Sequence, residues 1–133
     1  MINNIAELCE QNFVHDKFAK NKEGVIRGIH GDYKSWKLVT AVAGSFFQVV
    51  VDCRPNSHKF LHHETFTLSE LDYCSLLIPP GFGNGFCSLT DNSLYHYKLA
   101  YEGAYADADE QFTYKWDDPK IGIKWPVAQY KLS

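Results

Sequence analysis

The sequence predicts an all-β protein, a sandwich or barrel of short strands with one short N-terminal helix, on three observations. About nine short apolar or alternating runs follow one another at regular spacing, separated by Gly, Pro, Asn, Asp and Ser. Only residues 3–11 offer a helical pattern, with Ile5, Leu8 and Cys9 on one side. Aromatic residues make up 15% of the chain, which suits pleated strands around a ring-lined pocket.

The elements follow in order. Phe13 to Ala19 is the first expected strand, and Val25 to His30 the second, after a turn over Asn21–Gly24. Lys37 to Ala43 and Phe46 to Cys53 flank Gly44-Ser45, a hairpin turn. Phe60 to Leu68 alternates and then meets a polar turn. Cys74 to Ile78 is apolar and stops at Pro79-Pro80. Phe86 to Leu89 and Leu94 to Tyr101 surround the turn Thr90-Asp91-Asn92-Ser93, and Phe112 to Trp116 is the last short strand. The segment Asp117 to Pro126 is expected to wrap the surface. No internal repeat, low-complexity stretch or linker interrupts the 133 residues, so residues 1–133 are expected to form one domain.

Composition excludes several classes. Thirteen basic residues against sixteen acidic ones give a net charge of −3, without the basic stripe of a nucleic-acid binder. The four cysteines, Cys9, Cys53, Cys74 and Cys87, have no C-x-x-C spacing, and the last three are expected to be buried reduced thiols. Residues 1–20 lack a cationic start followed by a long apolar run, so no signal peptide is expected. No apolar run approaches the ~20 residues of a membrane span. The expected compartment is the cytoplasm.

Alternation places the candidate side chains. Tyr95, Tyr97, Leu99 and Tyr101 share one strand face, and Lys37 shares another with Val39, Ala41 and Ala43. A lysine on an apolar face either reaches water at the strand end or sits in a pocket. His30 ends the string Val-Ile-Arg-Gly-Ile-His, where an imidazole can exchange a proton near neutral pH or simply be hydrogen-bonded at the surface. Strict alternation puts Arg27 opposite His30, but a bulge at Gly28 would turn both inward. Ile78-Pro-Pro-Gly-Phe-Gly-Asn-Gly-Phe86 reads as a rigid loop, with glycines for close backbone approach, that can present Asn84 to a ligand. Tyr97 is either an inward phenol able to donate a proton or a satisfied core tyrosine. His58, His62, His63 and Glu64 form the only candidate metal cluster. Neighbouring strand residues point apart, and His58 and His62 are about 13 Å apart at ~3.3 Å per residue, so no metal is expected there.

Taken in order, Phe13-Val-His-Asp-Lys, Gly24-Val-Ile-Arg-Gly-Ile-His30, Lys37-Leu-Val, Val51-Asp-Cys-Arg54, Ile78-Pro-Pro-Gly-Phe-Gly-Asn-Gly-Phe86, Tyr97-Lys98 and Trp116-Asp-Asp-Pro-Lys-Ile-Gly-Ile-Lys-Trp-Pro126 resemble the dTDP-4-dehydrorhamnose 3,5-epimerase family over nearly the whole chain. The His-Asp-Lys start, His30-Gly-Asp and Tyr97-Lys-Leu-Ala-Tyr-Glu-Gly look closest to the branch acting on GDP-linked 4-keto-6-deoxy-heptoses.

The resemblance implies a cupin or jelly-roll β-barrel (a double-stranded β-helix), usually a homodimer, that uses neither metal nor cofactor. Its implied partner is a nucleotide-diphosphate sugar of cell-surface carbohydrate biosynthesis, epimerised at C3, C5 or both. His30 matches the general base, Tyr97 the acid on the other face of the sugar, and Lys37 the cation near the ketone oxygen. Arg27, Asn84, His15, Lys17 and Tyr101 are the implied substrate-binding residues. The chemistry suits these types: a proton alpha to a ketone leaves an enolate, whose oxygen needs a cation or donor, and inversion needs groups on both faces.

This sequence departs from the family pattern at several points. Asn84 replaces a histidine, His15 and Lys17 replace a Gln and an Asn, and Gln48 replaces an acid. The aspartate that pairs with the base histidine has no match before Leu132-Ser133, and Asp16 or Asp32 is the expected substitute. The N-terminal hairpin is also missing, which implies a more open pocket. Two other functions stay open: a non-catalytic sugar-nucleotide binding module, and a 3,4-ketoisomerase, which also works through an enolised intermediate.

Overall fold

The computed structural model describes residues 12–104 and 110–126, with the backbone of 131–132. The expected helix over residues 3–11 lies outside the described residues. All regular structure that is described is strand: β1 (Phe13–Asn21), β2 (Val25–Asp32), β3 (Trp36–Ala43), β4 (Ser45–Asp52), β5 (His63–Ser69), β6 (Leu76–Ile78), β7 (Phe82–Ser88), β8 (Ser93–Ala100), β9 (Gln111–Thr113) and β10 (Lys131–Leu132).

The strands form two sheets. One has the order β1-β8-β3-β6, and the other β10-β2-β7-β4-β5, with β9 also paired to β2. Every pairing is antiparallel except β10 on β2. The eight earlier strand expectations each find a strand, shifted by a few residues at the ends. Phe112 to Trp116 shortens to β9, beyond which Tyr114 still exchanges both backbone hydrogen bonds with Ile29. β10 was not anticipated.

Cross-strand register sets what each face carries. On the four-stranded sheet Lys17, Tyr97 and Val39 lie abreast, as do Ala19, Tyr95 and Ala41. On the larger sheet Arg27, Phe86, Gln48 and Phe66 lie abreast, and so do His30, Asn84, Val50 and Glu64. The two rows of one sheet face the two rows of the other across the sandwich. Phe46, Phe86 and Tyr95 form its aromatic centre, with Phe86 stacked on Tyr95 at 4.1 Å and Phe46 edge-on to both at 5.1 Å. Such ring pairs contribute about 0.5–1.5 kcal/mol each beyond simple burial.

The outer face of the larger sheet is equally apolar. Ile26, Ile29, Val49, Val51, Cys53 and Cys87 are covered by Ile121 and Trp125, with Trp116 packed alongside. Residues 117–126 therefore do more than wrap the surface: Ile121 and Trp125 are core residues, and Trp125 Nε1 donates to the Trp116 carbonyl at 2.9 Å.

The glycines after Pro80 have a different job from the one expected. β7 begins at Phe82, so Gly83 and Gly85 are strand residues rather than a ligand-facing loop. A Cβ on either would meet the Ile29 side chain, at 2.5 and 2.4 Å. They make room for β2, not for a ligand.

Cys53 and Cys87 are buried free thiols, and burial pushes both up to about 11. Cys74 is exposed, contrary to expectation, because it precedes β6 in an irregular stretch instead of belonging to a strand.

Candidate active site

Of the two possibilities left open at Gly28, strict alternation or a bulge, the bulge is present and organises the site. The β2–β7 register shifts between Arg27 and His30, so one residue is taken out of the alternation and both side chains turn to the inner face. Gly28 has φ +130, and a Cβ there would stand 2.6 Å from the Gly85 Cα and 2.9 Å from the Asn84 carbonyl oxygen. Only glycine fits this conformation and this approach.

Between the sheets, at the end where β1 and β2 come together, lies a cavity of about 410 Å³. Its walls bring together six of the eight residues singled out from sequence: Lys17, Arg27, His30, Lys37, Asn84 and Tyr97. His30 comes from the larger sheet, while Lys37 and Tyr97 come from the smaller one. His15 and Tyr101 are not in the lining. They face one another with ring centroids 6.5 Å apart, and His15 lies two residues before Lys17 on the same side of β1.

Charge in the cavity is one-sided. Lys17, Arg27 and Lys37 line it, and among the described residues no carboxylate does. Such a set suits a ligand carrying negative charge. Arg27 is anchored by its Nε, which donates to Asn21 Oδ1 at 2.8 Å. Lys37 is the inward lysine of the apolar face, in the pocket rather than at a wet strand end. Burial holds its ammonium below the usual lysine range and Lys17 adds to this, while Asp32 acts in the opposite direction. Lys37 Nζ donates to the His30 carbonyl at 3.5 Å.

His30 stands at the open mouth of the cavity. Partial burial, then the Lys37 cation, lower its pKa below 6.5, so the ring is neutral at physiological pH. Its Nδ1 is 3.1 Å from Thr113 Oγ1. Neither acid expected to partner it does so. Asp16 points to the outer face, where it bonds His96 Nε2 at 2.9 Å, because alternation along β1 separates it from Lys17. Asp32 Oδ1 instead accepts the backbone N–H groups of Lys34 and Ser35 at 2.8 and 2.6 Å, closing the turn after β2.

The inner end of the cavity holds a polar chain that the sequence did not reveal. Tyr95 is fully buried, and its hydroxyl donates to Gln48 Oε1 at 2.6 Å. Gln48, also fully buried, donates through Nε2 to Asn84 Oδ1 and to the Val49 carbonyl. Tyr95 also reaches Asn84 Oδ1, at 3.3 Å. With its oxygen so engaged, Asn84 offers its Nδ2 hydrogens to the cavity. The single clue in sequence was a glutamine mid-strand at position 48.

A larger cavity, about 500 Å³, opens at the other edge of the sandwich. Its lining includes Arg54, Lys59, His62 and His63, but also Asp52 and Glu64. Arg54 is committed to Asp52 through Nε and Nη2, at 3.0 and 2.9 Å, and lies over the Phe82 ring at 4.7 Å. Those bonds hold the Asp52 carboxyl far below the usual range. Arg54 and Asp52 thus pair with each other at this edge, whereas the lining of the smaller cavity carries cations without acids among the described residues. His62 and His63 line the same cavity rather than opposite faces, because His62 precedes β5. Among the described residues no three His, Cys, Asp or Glu side chains converge as a metal site.

A neutral imidazole on one wall, a phenol on the other and an ammonium close to the imidazole's backbone can move protons on both faces of a bound ketone and stabilise an enolate between them.

Comparison with known proteins gives the same direction. The profile of the family described as dTDP-4-dehydrorhamnose 3,5-epimerase matches residues 3–133. The dTDP-4-dehydrorhamnose 3,5-epimerase of Shigella flexneri is 38% identical over 124 residues, covering 91% of this chain and 67% of its own length. That of Methanothermobacter thermautotrophicus is 36% identical over 120 residues, covering 89% and 63%. The chain thus spans about two thirds of the length of these relatives. The crystal structure of dTDP-6-deoxy-D-glucose-3,5-epimerase from Legionella pneumophila, in complex with dTDP-4-keto-L-rhamnose, superposes with a TM-score of 0.88 at 32% identity, over 100% of this chain and 72% of that one. With profile, sequence and fold in agreement over 91% of the chain or more, the chain belongs to the dTDP-4-dehydrorhamnose 3,5-epimerase family.

Proposed function

We propose that the chain, acting as one domain over residues 1–133, epimerises a nucleotide-linked 4-keto-6-deoxy sugar at C3, C5 or both. The observation that carries this is the cavity in which His30 on one sheet faces Tyr97 and Lys37 on the other. The Legionella relative, bound to dTDP-4-keto-L-rhamnose, supports a sugar nucleotide as the ligand. The three cations of the cavity support a diphosphate-bearing one.

In this mechanism neutral His30 removes the proton alpha to the C4 ketone. Electron density moves onto the ketone oxygen, which faces the Lys37 ammonium. Lys37 gains strength there because burial has removed competing water. Tyr97 then delivers a proton to the opposite face of the same carbon, which inverts it. Arg27, Lys17 and Asn84 hold the sugar nucleotide, and His15 and Tyr101 extend that surface along β1.

Assembly as a homodimer in the cytoplasm completes the reading. Val14 and Phe18, 61% and 63% exposed on the outer face of β1, are a surface a second copy would cover. Buried free Cys53 and Cys87 fit a reducing compartment. No helix among the described residues is long and apolar enough to cross a membrane.

The test is solvent exchange. In D2O, dTDP- or GDP-4-keto-6-deoxyglucose should gain deuterium at C3 or C5 and yield an inverted product by NMR. His30→Asn should abolish exchange in a folded protein. Tyr97→Phe should still exchange but not invert. Binding of either nucleotide sugar without any exchange by the unaltered chain would mean a binding module instead, and a 3-keto product would mean a ketoisomerase.

A further inference from the structure

We propose that Thr113 is a positioning residue for His30, fixing the imidazole as the tautomer protonated on Nδ1 and leaving the Nε2 lone pair to the cavity. The inference rests on the reading of His30 as the base.

β9 pairs with β2 so that Thr113 lies directly opposite His30. The pair is further held by backbone bonds on either side of Ile29, whose N–H donates to the Tyr114 carbonyl at 3.1 Å and whose carbonyl accepts from Tyr114 N at 2.9 Å. The ladder sets the threonine hydroxyl 3.1 Å from Nδ1. A hydroxyl can donate or accept, so the contact by itself leaves the tautomer undecided.

Charge decides it. The ammonium of Lys37, from β3, is on the cavity side of His30, and Lys17 and Arg27 share that cavity. A cation attracts a nitrogen lone pair and repels an N–H. The ring proton therefore sits on Nδ1, away from the cations, and is donated to Thr113 Oγ1. Nε2 then keeps the lone pair that takes a substrate proton. A hydroxyl is neutral, so it orients the ring without adding the electrostatic pull that a carboxylate partner would exert on the imidazolium.

Histidine ring ¹⁵N NMR, assigned against His30→Asn, tests the tautomer without reference to turnover. The unaltered protein and Thr113→Ser should show His30 protonated on Nδ1. Thr113→Val should show a mixture of tautomers, with kcat down about five- to tenfold, the worth of one neutral hydrogen bond, and KM little changed. Thr113→Asp should keep the Nδ1 proton and move the acid limb of the pH profile upward.

A proton on Nε2 in the unaltered protein overturns the proposal, even if Thr113→Val fails to fold. So does a folded Thr113→Val with unchanged tautomer and kcat. If the unaltered chain shows the Nδ1 tautomer but catalyses no exchange, the positioning stands and the assignment of His30 as a base falls.

Discussion

Lys37 Nζ reaches across the sandwich to the backbone carbonyl of His30, 3.5 Å away, so the cation and the imidazole belong to one electrostatic unit although they stand on different sheets. The contact is to the main chain, which leaves the ring free to titrate while feeling the charge. In the proposed mechanism it also fixes where the enolate oxygen is stabilised relative to where the proton is removed.

Lys37→Met separates these effects. In the proposed mechanism neutral His30 is the active form, so activity should be lost as pH falls through its pKa. Burial and Lys37 both lower that pKa, so the unaltered protein should hold its activity to below pH 6.5. Removing Lys37 takes away one of the two causes and makes protonation easier. The acid limb of kcat/KM should then move to higher pH, though burial remains. Loss of the oxyanion partner should also lower kcat about 10²- to 10³-fold. Profiles from pH 5 to 9 check both, and an acid limb that stays put or moves down would separate Lys37 from His30.

Gly28→Ala should damage fold and site together. The added methyl meets the backbone of Gly85 and Asn84 at 2.6 and 2.9 Å, and φ +130 is strained for any L side chain. Strained backbone and overpacking each cost about 1–3 kcal/mol. A loss of about 3 kcal/mol would lower Tm by roughly 10 °C at this size. If the chain escapes strain by erasing the bulge, Arg27 and His30 return to opposite faces and proton exchange disappears. Thermal melting and deuterium exchange read the two effects separately, and a variant with unaltered Tm and exchange would show that the bulge is dispensable.

What the sequence made legible depended on locality. Alternation set Tyr95 and Tyr97 on one face and Lys37 on the apolar face of its strand, and Gly28 marked where a bulge could interrupt the alternation, because glycine in a strand interior often hosts one. Pairings between distant strands were hidden. Thr113 meets His30 across 83 residues, and Tyr95 meets Gln48 across 47, so neither partner could be read from its own neighbourhood. Gly83 and Gly85 looked like a ligand loop because their clash partner, Ile29, is also remote. Asp16 and Asp32 were plausible acids for His30 by proximity in sequence, but strand alternation turned one outward and a turn claimed the other.

The buried chain from Tyr95 through Gln48 to Asn84 yields the last prediction. Asn84 Oδ1 accepts from both partners, so Nδ2 is the side turned to the cavity. Asn84→Asp keeps the shape and the two accepted bonds but replaces the donor by a carboxylate oxygen. With the anionic sugar nucleotide proposed above as ligand, this should raise KM at least tenfold, the cost of exchanging a donor for a like charge. Gln48→Leu keeps the volume but frees the Asn84 amide to rotate. It should raise KM a few-fold, about the worth of one neutral hydrogen bond, and leave the pH profile unchanged. Calorimetric titration with dTDP and GDP shows whether the effect lies on the nucleotide or on the sugar. If Asn84→Asp binds the sugar nucleotide as tightly as the unaltered chain, the amide does not donate to the ligand, and the Tyr95–Gln48 chain serves packing alone.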